Sequence, residues 1–177
     1  MSRDNLIVGD LVLEIGAANI CKAGESICGD FWCQIPGEDQ QILVLSDGMG
    51  SGVKANILST LTSKILCTMI SGGIPLEDCV ATIASTLPVC SVRQVAYSTF
   101  TILKMHDRGF VELTRFDNPH TVVLRQGKCY DFQFQTRMIE GKKIYESQFE
   151  ISENDVLVVM SDGAIWAGLG HEYAFGW

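Results

Sequence analysis

The chain has 177 residues, 47% of them apolar and 19% charged, and its 13 Lys and Arg against 21 Asp and Glu give a net charge of −8. That is enough for one domain with a sizeable core. The acidic balance argues against nucleic acid as a partner, since phosphate-backbone binders cluster Lys and Arg. No apolar run reaches the roughly 18 residues a membrane-spanning helix needs, and the opening Met1-Ser2-Arg3-Asp4-Asn5 lacks the apolar core of a secretory leader.

In chain order, the pattern predicts strands over 11–20, 30–35 and the continuous apolar run 42–45, the last covered on both faces. The period then becomes helical. Ile57, Leu58, Leu61, Ile65, Leu66 and Met69 form one stripe, with Ser59, Thr62 and Ser63 on the other side, over a helix at about 53–71 that Gly72-Gly73 ends. Pro75 opens a second helix over 75–87, with Glu77 and Asp78 in its first turn and Pro88 closing it. From Ser98 onward strands return, punctuated by turns at Arg108-Gly109, Gln126-Gly127 and Glu140-Gly141. Tyr130, Phe132 and Phe134 alternate with polar residues as in a half-buried strand, and the run 156–160 reads as a second central strand. Two adjacent helices set among many strands predict an α+β fold with mainly antiparallel sheet.

The seven cysteines, Cys21, Cys28, Cys33, Cys67, Cys79, Cys90 and Cys129, contain no C-x-x-C pair. Neither a disulfide framework nor a zinc site shows such spacing. Cys67, Cys79 and Cys129 fall within apolar or helical patterns, where Cys acts as a small hydrophobe. Reduced structural thiols point to the cytoplasm.

One element occurs twice: an apolar run leads into Ser46-Asp47-Gly48, and another into Ser161-Asp162-Gly163. Each places a carboxylate where a strand emerges. Asp-Gly alone is a common turn pair, but the repetition with matching flanks points to a shared site. Two carboxylates side by side repel unless a cation lies between them, and oxygen ligands suit Mg²⁺ or Mn²⁺ better than zinc. A third acid, Asp30, opens a strand after Gly29. The glycine-rich turn Gly48-Met49-Gly50-Ser51-Gly52 fits neither nucleotide fingerprint, since Val53 stands where a third glycine belongs and no G-K-[ST] follows. Its glycines instead let backbone approach a metal, with the Gly48 carbonyl as a candidate ligand.

G-D-F-W at 29–32, S-D-G-M-G-S-G at 46–52, S-T-F-T at 98–101 and S-D-G at 161–163 resemble the metal-dependent serine/threonine phosphatases of the protein phosphatase 2C superfamily. The branch they resemble is the bacterial one typified by stage II sporulation protein E, which F-D-N-P-H at 116–120 also resembles. The resemblance implies an α-β-β-α sandwich of two antiparallel sheets with outer helix pairs. It also implies two Mg²⁺ or Mn²⁺ ions: Asp47 bridging both, the Gly48 carbonyl and Asp30 serving the first, and Asp162 the second. A metal-activated water would then attack phosphoserine or phosphothreonine on a regulatory protein, such as one of the anti-anti-sigma type. The rival expectation is a non-catalytic phosphatase-like interaction domain with an incomplete metal site.

The sequence departs from that family in two places. Nothing after Asp162 matches the family's further metal-binding D-D-x-T element, Glu172 being the only later acid. The expectation is therefore one phosphatase-like domain over 1–177, truncated at its C-terminus. No Arg lies between Arg3 and Arg93 to hold phosphate as in animal-type members, which leaves Lys22 as a substitute candidate. His120 is either a turn residue or a proton donor to the leaving alkoxide.

Overall fold

The computed structural model describes residues 3–8 (backbone only), 11–37, 40–87 and 98–167. Pro88, Cys90, Arg93, His171 and Glu172 lie outside the described residues. The strands are β1 (Arg3–Val8), β2 (Leu11–Gly16), β3 (Asp30–Pro36), β4 (Gln40–Asp47), β5 (Thr99–His106), β6 (Phe110–Phe116), β7 (Val122–Arg125), β8 (Lys128–Tyr130), β9 (Gln135–Ile139), β10 (Lys142–Glu150) and β11 (Val156–Val158). Helices α1 (Gly52–Ser71) and α2 (Leu76–Thr86) lie between β4 and β5, and the short α3 (Asp162–Ile165) follows β11.

Six strands form one sheet in the order β3-β4-β5-β6-β10-β9, and three form a second in the order β11-β7-β8. Every registered strand pair is antiparallel. The connecting turns explain the short hairpins. Arg108-Gly109, Gln126-Gly127 and Glu140-Gly141 each place both central residues at positive φ, from 48° to 81°. That conformation matches the right-handed twist of the flanking strands.

Strand alternation divides the six-stranded sheet into two faces. Cys33, Ile42, Val44, Phe100, Ile102 and Ile144 pack against Leu66 and Cys67 of α1 and Cys79, Val80 and Ile83 of α2. Leu103, Met105, Val111, Leu113 and Phe149 form a second core with Val123 of β7, joined by Leu157 of β11. The result is an α+β sandwich with the helix pair outside the larger sheet and the smaller sheet on its other side.

Four expectations need correction. Helix α1 buries Ala55, Ser59, Thr62 and Ser63 with Leu66 and Cys67, while Val53, Ile57 and Leu61 are 65%, 52% and 43% exposed. Small side chains let the helix axis approach the sheet; Ser59 Oγ donates to the Asn56 carbonyl at 3.0 Å and Ser63 Oγ to the Phe31 carbonyl at 3.2 Å, while the buried Thr62 hydroxyl has no hydrogen-bond partner among the described residues. The run 156–160 is not a central strand. It forms β11, an edge paired with β7, with Val156 and Val158 exposed and Leu157 turned inward. The aromatic alternation outlasts its strand: β8 ends at Tyr130, yet Phe132 and Phe134 still point into the second core, Phe132 lying 4.5 Å from the Phe149 ring. Cys129 is exposed, whereas Cys33 joins Cys67 and Cys79 among the buried thiols.

Candidate active site

Asp30 opens β3 and Asp47 closes β4, and the two are register partners. Asp47 is also opposite Thr99, the first residue of β5. Residues directly opposed in antiparallel strands project to the same face, so Asp30, Asp47 and Thr99 stand in a row across three strands at one end of the sheet. Their alternation places them on the face opposite α1, toward the smaller sheet.

The second S-D-G element reaches this row from far along the chain. Ser161 Oγ donates to Asp30 Oδ2 at 2.7 Å, and Asp162 begins α3 immediately after. The Asp47 carboxyl is pushed up to about 8, first by burial, then by the Asp30 charge and by a hydrogen bond and charge from Asp162. A hydrogen bond between two carboxyls requires a proton on one of them. The structure therefore brings Asp30, Asp47 and Asp162 together.

Close backbone packing sets the turn after Asp47. The Gly48 N–H donates to the Gly29 carbonyl at 3.2 Å, and a Cβ on Gly48 would stand 1.8 Å from the Ala55 carbonyl oxygen of α1. The loop before Asp30 is fastened to the same region. Ser51 Oγ donates to Glu25 Oε1 at 2.8 Å, and Asn56 Nδ2 to the Cys28 carbonyl at 2.8 Å. Ser51 provides no side-chain cap for α1, and the Glu25 carboxylate complements the positive end of the helix instead.

Sequence reasoning passed over Glu25, Asn56, Ser161 and the clamp around Asn118. Buried Asn118 accepts from Thr99 Oγ1 through its Oδ1, donates to Thr101 Oγ1 at 3.1 Å, and accepts from Arg115 at its main-chain oxygen. F-D-N-P-H is thereby tied to S-T-F-T beside Asp47. The sequence signal for this was the alternation of Thr99 and Thr101 with Phe100 and Ile102 at the start of β5. Lys22 stands exposed on the loop, its carbonyl accepting from the Glu25 N–H at 2.9 Å. His120 packs edge-on against Phe134 at 5.5 Å, and burial and then the Arg115 charge lower its pKa. Its neighbours thus include Phe134 of the second core and the Arg115 charge.

The donor set suits a hard divalent cation, because it is all oxygen and crowds carboxyl groups together. Among the described residues, however, no group of three or more His, Cys, Asp or Glu side chains is arranged to hold a metal ion. Nor is any described helix long and apolar enough to cross a membrane.

Two antiparallel sheets with a helix pair on the larger one make up the architecture of the protein phosphatase 2C-type fold. The family model described as Stage II sporulation protein E (SpoIIE) matches residues 37–173, and the chain belongs to that family. Stage II sporulation protein E of Bacillus subtilis (strain 168) is 27% identical over 162 residues, covering 88% of this chain and 19% of the relative. The protein of the same name from Priestia megaterium is 25% identical over 158 residues, covering 86% and 27%. The chain thus spans less than a third of the curated relatives it matches. Among solved structures, the PP2C phosphatase domain of SpoIIE from Bacillus subtilis with a fragment of its regulatory domain superposes with a TM-score of 0.73 at 21% identity, covering 97% of this chain and 50% of that one. RsbX in complex with magnesium gives 0.60 at 20% identity, covering 83% and 72%. At these identities the structural likeness shows the fold.

Proposed function

We propose that the acid row acts on phosphoserine or phosphothreonine of a regulatory protein, of the anti-anti-sigma type, by metal-dependent hydrolysis within one phosphatase-like domain over 1–177. The observation that supports this reading is the bond from Ser161 to Asp30, which ties the second S-D-G element, across 131 positions, to the register partner of Asp47 in the first. Asp47, Asp30, Asp162 and the Gly48 carbonyl would hold Mg²⁺ or Mn²⁺. When bound, such cations neutralise phosphoryl charge and lower the pKa of an attacking water. In this reading the chain's own residues orient the acids: Ser161 fixes Asp30, the Gly29–Gly48 contact fixes the turn, and Asn118 fixes the strand beside Asp47. The reading places the domain in the cytoplasm.

A second reading is favoured by one observation: the described acids, as they stand, are not arranged to hold a metal ion. On that reading this is a phosphatase-like interaction domain that binds a phosphoprotein without hydrolysing it. Phosphate release from a phosphoserine peptide in millimolar Mn²⁺ separates the two. Release abolished by Asp47→Asn supports hydrolysis, whereas peptide binding without release supports the interaction domain.

A further inference from the structure

Cys33 on β3 and Cys67 on α1 lie with their sulfurs 2.7 Å apart inside the core between helix and sheet. Their surroundings hold them there. Cys33 Sγ also donates to the Ser63 carbonyl at 3.3 Å, Cys67 Sγ lies 3.7 Å from the Cys33 carbonyl, and Ser63 Oγ bonds the Phe31 carbonyl. Helix and strand are thus in register around the two sulfurs. We propose that Cys33 and Cys67 form a reversible disulfide on exposure to hydrogen peroxide, pinning α1 to the strand that begins with Asp30. This modification site is independent of whether the acid row hydrolyses phosphate.

The chemistry assigns a role to each sulfur. Cys33 is the more accessible, at 7% against 0% for Cys67. The hydrogen bond between the two sulfurs lowers the Cys33 pKa, burial works against it, and the charge of Lys64, one turn from Cys67 with its Nζ 5.9 Å from the Phe31 ring centroid, lowers it further. The Cys33 thiolate attacks one peroxide oxygen, the O–O bond breaks, and Cys33 becomes a sulfenic acid as the departing hydroxide takes up a proton to form water. Cys67 then attacks the Cys33 sulfur, the S–O bond breaks, and a second water leaves with the Cys67 proton. Two thiols and one peroxide give one disulfide and two waters. Burial selects the reagent, because a molecule near the size of water can reach the pair while a bulky disulfide cannot. The bridge would close a loop spanning β4 and most of α1, restricting the unfolded chain.

The test treats the wild-type protein with peroxide, then maps peptides without reduction and records thermal unfolding. The expected result is a loss of two hydrogens in a linked peptide pair containing Cys33 and Cys67. The midpoint should rise by several degrees, and dithiothreitol should reverse both changes. Cys67→Ser should show neither change. Cys21 and Cys129 are exposed and serve as internal controls for oxidant dose. The proposal is overturned if Cys33 and Cys67 remain alkylatable after denaturation at doses that oxidise those two. A link that maps to another pair, or a midpoint that does not rise, also overturns it. Should Cys67→Ser fail to fold, the wild-type map alone decides.

Discussion

Asp30 and Asp47 face each other across the antiparallel β3–β4 pair, one at the first residue of its strand and the other at the last. Directly opposed like charges destabilise a sheet, so this pair opposes folding unless something compensates. Ser161 donates its hydroxyl to Asp30, and burial followed by the Asp30 charge pushes the Asp47 pKa up to about 8, which favours a neutral carboxyl opposite Asp30 near pH 7.

The first prediction follows from that shift. Asp47 binds its proton more tightly in the folded protein than its ordinary value of 3.8 implies. Its stabilising contribution is complete below about pH 4, is lost as pH rises through about 8, and is reduced in size by partial solvent screening. The metal-free protein should therefore lose thermal stability between pH 5 and 8, and Asp47→Asn should flatten that slope. Thermal midpoints of both proteins at matched ionic strength check this. Equal slopes would show that the carboxyl is ordinary.

Mn²⁺ provides a second check on the same group. A cation bound to Asp47 displaces its proton, so binding near pH 7 should release protons, and the release should fade above about pH 8. Calorimetry in two buffers of different ionisation enthalpy measures the proton count. Asp47→Asn should stay folded and lose Mn²⁺ binding, since one charge goes while shape is kept. Unchanged affinity in that variant would remove Asp47 from the ligand set.

Asp47 and Asp162 were legible in the sequence because their signals are local: an apolar run, then S-D-G, at two places. The positive-φ hairpins at Arg108-Gly109 and Glu140-Gly141 were legible for the same reason. The buried face of α1 was not. Periodicity separates the Ile57–Leu61 side from the Ser59–Ser63 side, but which side packs depends on how closely the sheet can approach. Small side chains win there through contact with Phe31 and Cys33, which are distant in sequence. Strand register likewise hides the Thr99–Asn118 and Ser161–Asp30 bonds from any local reading. β11 was misjudged because an apolar triplet reads alike at an edge and at a centre.

The α1 correction makes a contrast that mutagenesis can measure. Leu61→Gln removes an exposed apolar side chain and should change stability by no more than about 0.5 kcal/mol. Ser59→Leu forces a large side chain into a fully buried position and should cost about 1–3 kcal/mol or more. Urea unfolding of both variants checks the order. A larger loss from Leu61→Gln would restore the face expected from periodicity.

Gly48 gives the most demanding prediction, because its neighbour is backbone. A Cβ there would stand 1.8 Å from the Ala55 carbonyl oxygen and 2.5 Å from the carbonyl carbon. No rotamer change relieves such a clash, so either α1 or the turn after Asp47 must move. Gly50 is the internal comparison: its φ of 101° strains any side chain, but nothing lies within 4 Å of its Cβ position. Gly50→Ala should cost about 1 kcal/mol or somewhat more, the scale of backbone strain alone. Gly48→Ala should cost well above that, about 3 kcal/mol or more, with overpacking added. If the variant remains folded, its turn will have shifted. The Gly29–Gly48 bond should then weaken, and hydrogen exchange at the Gly48 amide should accelerate while exchange in β6 and β10 stays unchanged. Wild-type stability and unchanged exchange for Gly48→Ala would mean that α1 does not approach this turn as described.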